Sequence, residues 1–168
     1  MTLIIGIGGA SMAGKSTLAQ KIRNWFPDKE IVVLCQDDFV HPEKEIPQVN
    51  NKTDWERPES VDFDTYIAHV LARSTEFDVV IAEGLFAYAD TSLSNLYHKK
   101  IFIEIDESTF KNRKSQDTRW GKEPDWYVSH IWESYLKYGT LSDIHQDVFV
   151  MKNTGDDDTQ KLKDYLLK

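Results

Sequence analysis

LIIGIGGASMAGKST, residues 3–17, passes from an apolar run into small residues and then into a lysine and two hydroxyls. Within it, Gly9 to Ser16 spells G-x-x-x-x-G-K-S. Each part has a physical task. Glycines let the backbone curl so that successive N–H groups converge on phosphate oxygens. A helix starting near Lys15 aims its positive dipole end at the same anion. Lys15 can reach the β- and γ-phosphates, and the Ser16 hydroxyl can sit on Mg²⁺. Gly9, Ala10, Ser11, Met12, Ala13, Gly14, Lys15, Ser16 and Thr17 are therefore the expected nucleotide cradle. A strand-like run precedes the motif, and Leu18, Ile22, Trp25 and Phe26 follow at helical spacing, which is the context that confirms a phosphate-binding P-loop.

Working outward, Pro27-Asp28 interrupts the first helix after Phe26. Residues 31–35 (IVVLC) read as a fully buried strand, and the polar stretch 41–59 reads as a long loop. A helix is expected over 60–73, with Val61, Tyr66, Ile67, Val70 and Leu71 able to face a core. Residues 79–82 (VVIA) form a third buried strand, 93–98 a short helix, and 101–105 (IFIEI) a fourth strand. A charged helix over 107–116 follows, then a polar segment over 117–125. Asp125 is the expected N-cap of a helix that runs to Tyr138 and stops at Gly139. Residues 148–151 form a fifth strand. The acidic run 156–158, read as helix-start charge in water, leads into a last helix with Leu162, Tyr165 and Leu166 on one face.

Strands that alternate with helices and read as continuous apolar runs imply a five-stranded parallel sheet covered on both faces, an α/β fold. Ligands of such sheets gather at the carboxyl ends of the strands. Three strand ends here carry groups suited to one reaction: the loop after Gly9, Asp37 and Glu83. Glu83 follows four apolar residues, where P-loop proteins place a carboxylate near Mg²⁺ or its water shell. Asp37 is the candidate general base for an acceptor hydroxyl in line with the γ-phosphate. Adjacent Asp38 points elsewhere and is expected to cap or anchor the loop.

The 168 residues suit a single domain, 1–168, able to bury about 70% of its unfolded surface. With 20 basic against 28 acidic residues the net charge is −8, so a polynucleotide is not an expected partner. The one cysteine, Cys35, cannot form an internal disulfide and is read as a small hydrophobe in a buried strand. No segment has the apolar length to span a bilayer, and because residues 3–7 already read as a strand no signal peptide is expected. A cytoplasmic location is the expectation.

Asn51-Lys52-Thr53-Asp54 matches N-K-x-D, a guanine-reading motif, but it lies in a polar loop before the third strand, and no D-x-x-G follows that strand. The GTPase-switch reading is rejected. The five histidines show no metal-ligand pair on a shared helix face. Trp126, Tyr127, Ile131, Trp132, Tyr135 and Tyr138 fall at helical spacing and are assigned to core packing. Trp55 and Trp120 stand in polar surroundings, either as covers over the core or as stacking platforms for a planar base.

GIGGASMAGKSTLA, QDDF, DWERPES, VVIAEG, DTRWG and HIWESYLKYG, in that order, resemble the nicotinamide riboside kinases within the uridine kinase-like P-loop kinases. The resemblance spans residues 3–139. It implies ATP- and Mg²⁺-dependent phosphorylation of a nucleoside 5′-hydroxyl and a sheet ordered 2-3-1-4-5. By position, Asp37 matches a catalytic aspartate that also holds the ribose, and Lys15, Ser16 and Glu83 match the phosphate and Mg²⁺ groups. Trp55 matches an aromatic that stacks on the base, Trp120 its opposite face, and Arg119 an arginine of a lid over residues 116–125. Two positions depart from the pattern. Glu56 replaces the usual Asp of the ribose contact, and Lys114-Ser115-Gln116-Asp117 replaces an arginine-rich run, which moves a contact to Arg113 or removes it. Phosphorylation of uridine or cytidine by the same machinery is the alternative, and a non-catalytic nucleotide sensor a second one. A cationic nicotinamide ring would gain about 0.5–2 kcal/mol over tryptophan faces, whereas no group is identified to read a pyrimidine edge. A sensor would have no chemical need of Asp37, Lys15 and Glu83 together. Oligomeric state is not encoded in any of these features.

Overall fold

A computed structural model describes residues 2–119, 121–142, 146–152 and 156–167. The elements in chain order are β1 (Leu3–Gly9), α1 (Lys15–Trp25), β2 (Ile31–Cys35), β3 (Gln48–Val49), β4 (Lys52–Thr53), α2 (Phe63–Arg73) and β5 (Val79–Gly84). They continue with α3 (Thr91–Ser94), β6 (Lys99–Glu104), α4 (Glu107–Gln116), α5 (Asp125–Ser134), β7 (Val148–Lys152) and α6 (Asp156–Leu167). Five strands pair in parallel in the order β2-β5-β1-β6-β7, while β3 and β4 form a separate antiparallel hairpin. Counted along the large sheet alone, the order is 2-3-1-4-5, as the resemblance implies.

The two inner strands show why the sheet must be covered on both sides. All six residues of β5 are buried, as are six of the seven in β1. Successive strand residues point to opposite faces, so continuous burial means packing on each. Ile5, Ile7, Ile81 and Ile101 have no exposed surface, and each such side chain contributes about 1.5–3 kcal/mol by leaving water. Gly6 and Gly8 keep β1 slim. A Cβ at Gly6 would lie 2.2 Å from the Tyr97 ring, and one at Gly8 2.6 Å from Tyr88. Tyr88 then donates its hydroxyl to the carbonyls of Gly6 (3.2 Å) and Ile101 (3.0 Å), clasping β1 to β6.

Several local expectations change. β2 is an edge strand, with Ile31 buried and the other four residues half-buried, so Cys35 is only partly covered. A β-branched run announces a strand but not its place in the sheet. The helix expected from residue 60 starts at Phe63, because the Asp62 carboxylate accepts from the Thr65 N–H (3.0 Å) and caps it there. Residues 58–60 make a 3₁₀ turn instead. Leu71, expected to face the core, is exposed. The short helix is Thr91–Ser94, capped by Asp90, rather than 93–98. The fourth strand is shifted toward its start, Lys99–Glu104, leaving Ile105 outside. Pro124, not Asp125, occupies the N-cap of α5, and the last turn before Gly139 widens into a π-helix over Tyr135–Gly139. Trp126, assigned to the core, is exposed, while Tyr127, Ile131, Trp132 and Tyr135 are buried as expected. The 41–59 stretch holds the β3–β4 hairpin, whose turn places Asn50 and Asn51 at φ 47 and 60. The rejected N-K-x-D thus spans that turn and β4.

Candidate active site

The P-loop is built by the end of β1 and the start of α1. Met12 (φ 64) and Gly14 (φ 97) take left-handed conformations, turning the chain back on itself. For methionine this costs energy, which is typical of functional turns. Gly14 is the N-cap of α1 and provides no side-chain cap, and no acidic residue sits in the first turn. The leading N–H groups of the helix are therefore free of side-chain acceptors of their own and can take an anion. The Lys15 ammonium folds over the loop, donating to the carbonyls of Gly9 (3.1 Å) and Ala10 (2.9 Å). Burial lowers its pKa, against the opposing pull of Glu83 and then Asp37.

Glu83 is 2% exposed at the carboxyl end of β5, in register with Ile7 on one side and Cys35 on the other. Ser16 donates its hydroxyl to Glu83 Oε1 at 2.6 Å. The buried Glu83 carboxylate and the hydroxyl of exposed Ser16 supply the hard oxygen donors that suit Mg²⁺, which takes few protein ligands and fills the rest of its shell with water and phosphate. Ser16 and Glu83 thus fit the ion. Tyr66, fully buried on α2, donates to the carbonyls of Leu34 (3.0 Å) and Glu83 (3.3 Å), tying the ends of β2 and β5 together.

Asp37 lies in a 3₁₀ turn, Gln36–Asp38, directly after β2. The turn is anchored by Gln36, 1% exposed, whose Oε1 accepts from the Phe86 N–H at 2.9 Å beyond the end of β5. Asp37 itself is exposed, and its charge acts on Lys15, Glu56 and Arg119. Two residues beyond Cys35, which pairs in register with Glu83, it lies at the same carboxyl edge of the sheet as Glu83.

The turn that follows β4 carries Trp55, 37% exposed, and Glu56. Burial pushes the Glu56 carboxyl up to about 7; Lys114 opposes the rise, while Asp37 and Asp54 add to it. Its folded pKa lies above the ordinary 4.5, so its contribution to stability is full below about 4.5 and is lost as pH rises through about 7. Glu56→Gln removes this loss. Its unfolding temperature relative to wild type should rise between pH 5 and pH 8, which paired thermal melts would measure. A difference that is constant across pH would contradict the assignment.

The segment between α4 and α5 brings Arg119 near the loop. Arg119 donates Nε and Nη2 to the two Asp117 oxygens (2.8 and 3.0 Å), holding that carboxyl well below the usual range, and its Nη2 lies 3.5 Å from Met12 Sδ. Arg113 Nη1 donates to the Met12 carbonyl at 2.9 Å, so it braces the P-loop. Lys114 points into the site, 3.5 Å from Asp117 and acting on Glu56. Trp120 lies outside the described residues. Gln36, Lys114, Asp54 and His130 were missed by sequence reasoning. Gln36 was legible as the first letter of QDDF and His130 as that of HIWESYLKYG, but neither motif says which atom it meets.

No family model matches the chain. It is similar to nicotinamide riboside kinases. The identity is 28% over 158 residues with kinase 2 of Mus musculus, covering 82% of this chain and 80% of the relative. With kinase 1 of Homo sapiens it is 27% over 184 residues, covering 98% and 90%. A uridine kinase of Geobacillus kaustophilus is 27% identical over 129 residues, covering 62% and 61%. Among solved structures, a shikimate kinase from Bacteroides thetaiotaomicron superposes with a TM-score of 0.59 at 18% identity, covering 99% of both chains. A gluconokinase from Sinorhizobium meliloti does so at 0.60 and 14%, covering 99% and 95%. These two likenesses establish the P-loop kinase fold.

Proposed function

We propose that this P-loop kinase fold transfers the γ-phosphate of ATP to the 5′-hydroxyl of a nucleoside, nicotinamide riboside foremost. The observation that carries the reading is the position of Asp37, in the turn directly after β2, at the carboxyl edge of the sheet where Cys35 pairs with Glu83 and Glu83 with Ile7 of the strand that leads into the P-loop. A carboxylate in that place can accept the proton of a hydroxyl aligned with the γ-phosphate. The loop N–H groups of residues 9–17 cradle the phosphates, Lys15 leaves its loop carbonyls for their oxygens, and Arg119 closes from the lid. Ser16 and Glu83 would hold Mg²⁺, which would supply neutralisation of the phosphate charge. Glu56 and Asp37 meet the ribose hydroxyls, and Trp55 stacks on the base. A cationic base suits both the open tryptophan face and the acidic surround of Asp37, Asp54 and Glu56. Among the described residues no helix is long and apolar enough to cross a membrane.

Phosphate transfer measured across a nucleoside panel tests this reading. Product should form with nicotinamide riboside in preference to uridine and cytidine. Trp55→Ala should raise the nucleoside KM by about 5- to 150-fold, the equivalent of about 1–3 kcal/mol of stacking, with little change in the KM for ATP. Preference for uridine would transfer the assignment to the pyrimidine nucleosides. ATP bound but never turned over with any nucleoside would leave a nucleotide sensor.

A further inference from the structure

Strand β4 and the first turns of α5 are joined by a seam of polar contacts. Lys52 pairs with Glu123 and lies 3.8 Å above the Tyr127 ring, and the Tyr127 hydroxyl donates to the Thr53 carbonyl at 3.4 Å. At its centre the Asp54 carboxylate, 4% exposed, meets His130 Nε2 at 2.7 Å through Oδ1. The same Oδ1 accepts from the Glu56 N–H at 3.3 Å, while Arg57 Nε is 4.0 Å from Oδ2. Asp54 thus shapes the turn bearing Trp55 and Glu56 from inside and fastens it to α5 from outside.

We propose that Asp54 and His130 are a positioning pair that holds the Trp55–Glu56 turn on α5 in the geometry that receives the nucleoside. The inference rests on the reading of Trp55 and Glu56 as nucleoside contacts. The physical reason is the cost of a buried carboxylate. Without His130, Asp54 keeps a backbone N–H at 3.3 Å and a guanidinium at 4.0 Å, too little to replace a short bond to an imidazole. A poorly compensated buried charge draws water or moves toward it, and here it can do so only by opening the turn. Among the described residues the side-chain hydrogen bonds and ion pairs of Asp54 and His130 run to each other, Glu56 and Arg57 and not to residues 9–17, so the effect falls on one substrate.

A kinetic double-mutant cycle with nicotinamide riboside and ATP as varied substrates tests the pair. His130→Ala and Asp54→Ala should each raise the nucleoside KM about tenfold, with the KM for ATP within about twofold of wild type. The double variant should be no worse than the poorer single one, because the two residues act as a unit. His130→Gln places an amide N–H near the Nε2 position and should recover most of the lost affinity; this variant carries the test if either alanine variant fails to fold, a His130→Gln protein with a nucleoside KM still tenfold high overturning the pair. Unchanged nucleoside KM in the single variants, equal rises for both substrates, or effects that multiply in the double variant would also overturn it. A wild-type protein active on nicotinamide riboside with any of these outcomes refutes the pair alone, whereas one inactive on every nucleoside refutes the functional reading and the pair with it.

Discussion

Lys15→Ala is expected to lower phosphate transfer by about 10³-fold or more, the scale seen when a cation that stabilises the transferring phosphoryl group is removed. The structure explains why so large a loss need not involve the fold. Lys15 stands at the first position of α1, where alanine is an excellent helix former, and among the described residues its Nζ hydrogen-bonds to the carbonyls of Gly9 and Ala10 rather than to a core side chain. The core beneath, with Leu18, Ala19 and Ile22 on the inner face of α1, is untouched. What disappears is a charge partner for Glu83, which is 2% exposed and retains the Ser16 hydroxyl at 2.6 Å. Circular dichroism and cooperative melting should therefore match wild type while ATP binding weakens and turnover collapses. A Lys15→Ala protein with near-normal turnover would remove the P-loop from the mechanism.

The parts of this site that sequence made legible share one property: their chemistry is local. The cradle over residues 9–17 depends on a strand, a turn and a helix start that are contiguous, and each leaves its mark in residue type. Glu83 was legible because a buried strand ends beside it. Lys52, Glu123, Asp54 and His130 carry no such mark. Lys52 meets Glu123 across 71 residues and Asp54 meets His130 across 76, and a polar loop residue and a histidine on an aromatic helix are compatible with many partners. The distinction between inner and edge strands was hidden for a related reason. IVVLC and VVIA have the same apolar character, yet β5 is covered by neighbours on both sides and β2 on one. Helical periodicity in α5 identified the inward face through Tyr127, Ile131 and Trp132 but not its extent, since Trp126 sits in the first turn and is 40% exposed. Arg113 and Lys114 show what helix placement alone leaves open: Arg113 holds the Met12 carbonyl, while Lys114 is directed at Glu56 and Asp117.

Asp37→Asn should separate binding from chemistry. The substitution preserves size and removes the proton acceptor, and loss of a general base costs about 10²–10⁴ in rate. The backbone of the Gln36–Asp38 turn is held by Gln36, through the Phe86 N–H at 2.9 Å, and by the Phe39 N–H on the Gln36 carbonyl at 2.9 Å. Neither bond uses the Asp37 carboxylate, so the turn should keep its shape. Asp37 also adds to the electrostatic cost of ionising Glu56, and removing that charge should shift the Glu56 titration downward rather than weaken the nucleotide site. The expected protein binds ATP·Mg²⁺ within about threefold of wild type, by calorimetry, and transfers phosphate at least about a hundredfold more slowly. Asp38→Asn is the matched control, differing only in which side of the turn loses its charge, and should stay near wild-type turnover. The opposite pattern, with Asp38→Asn inactive and Asp37→Asn active, would exchange their roles. Normal transfer in both would mean that the acceptor hydroxyl loses its proton without a carboxylate base, leaving positioning and phosphate neutralisation by Lys15 and Arg119 as the source of the rate.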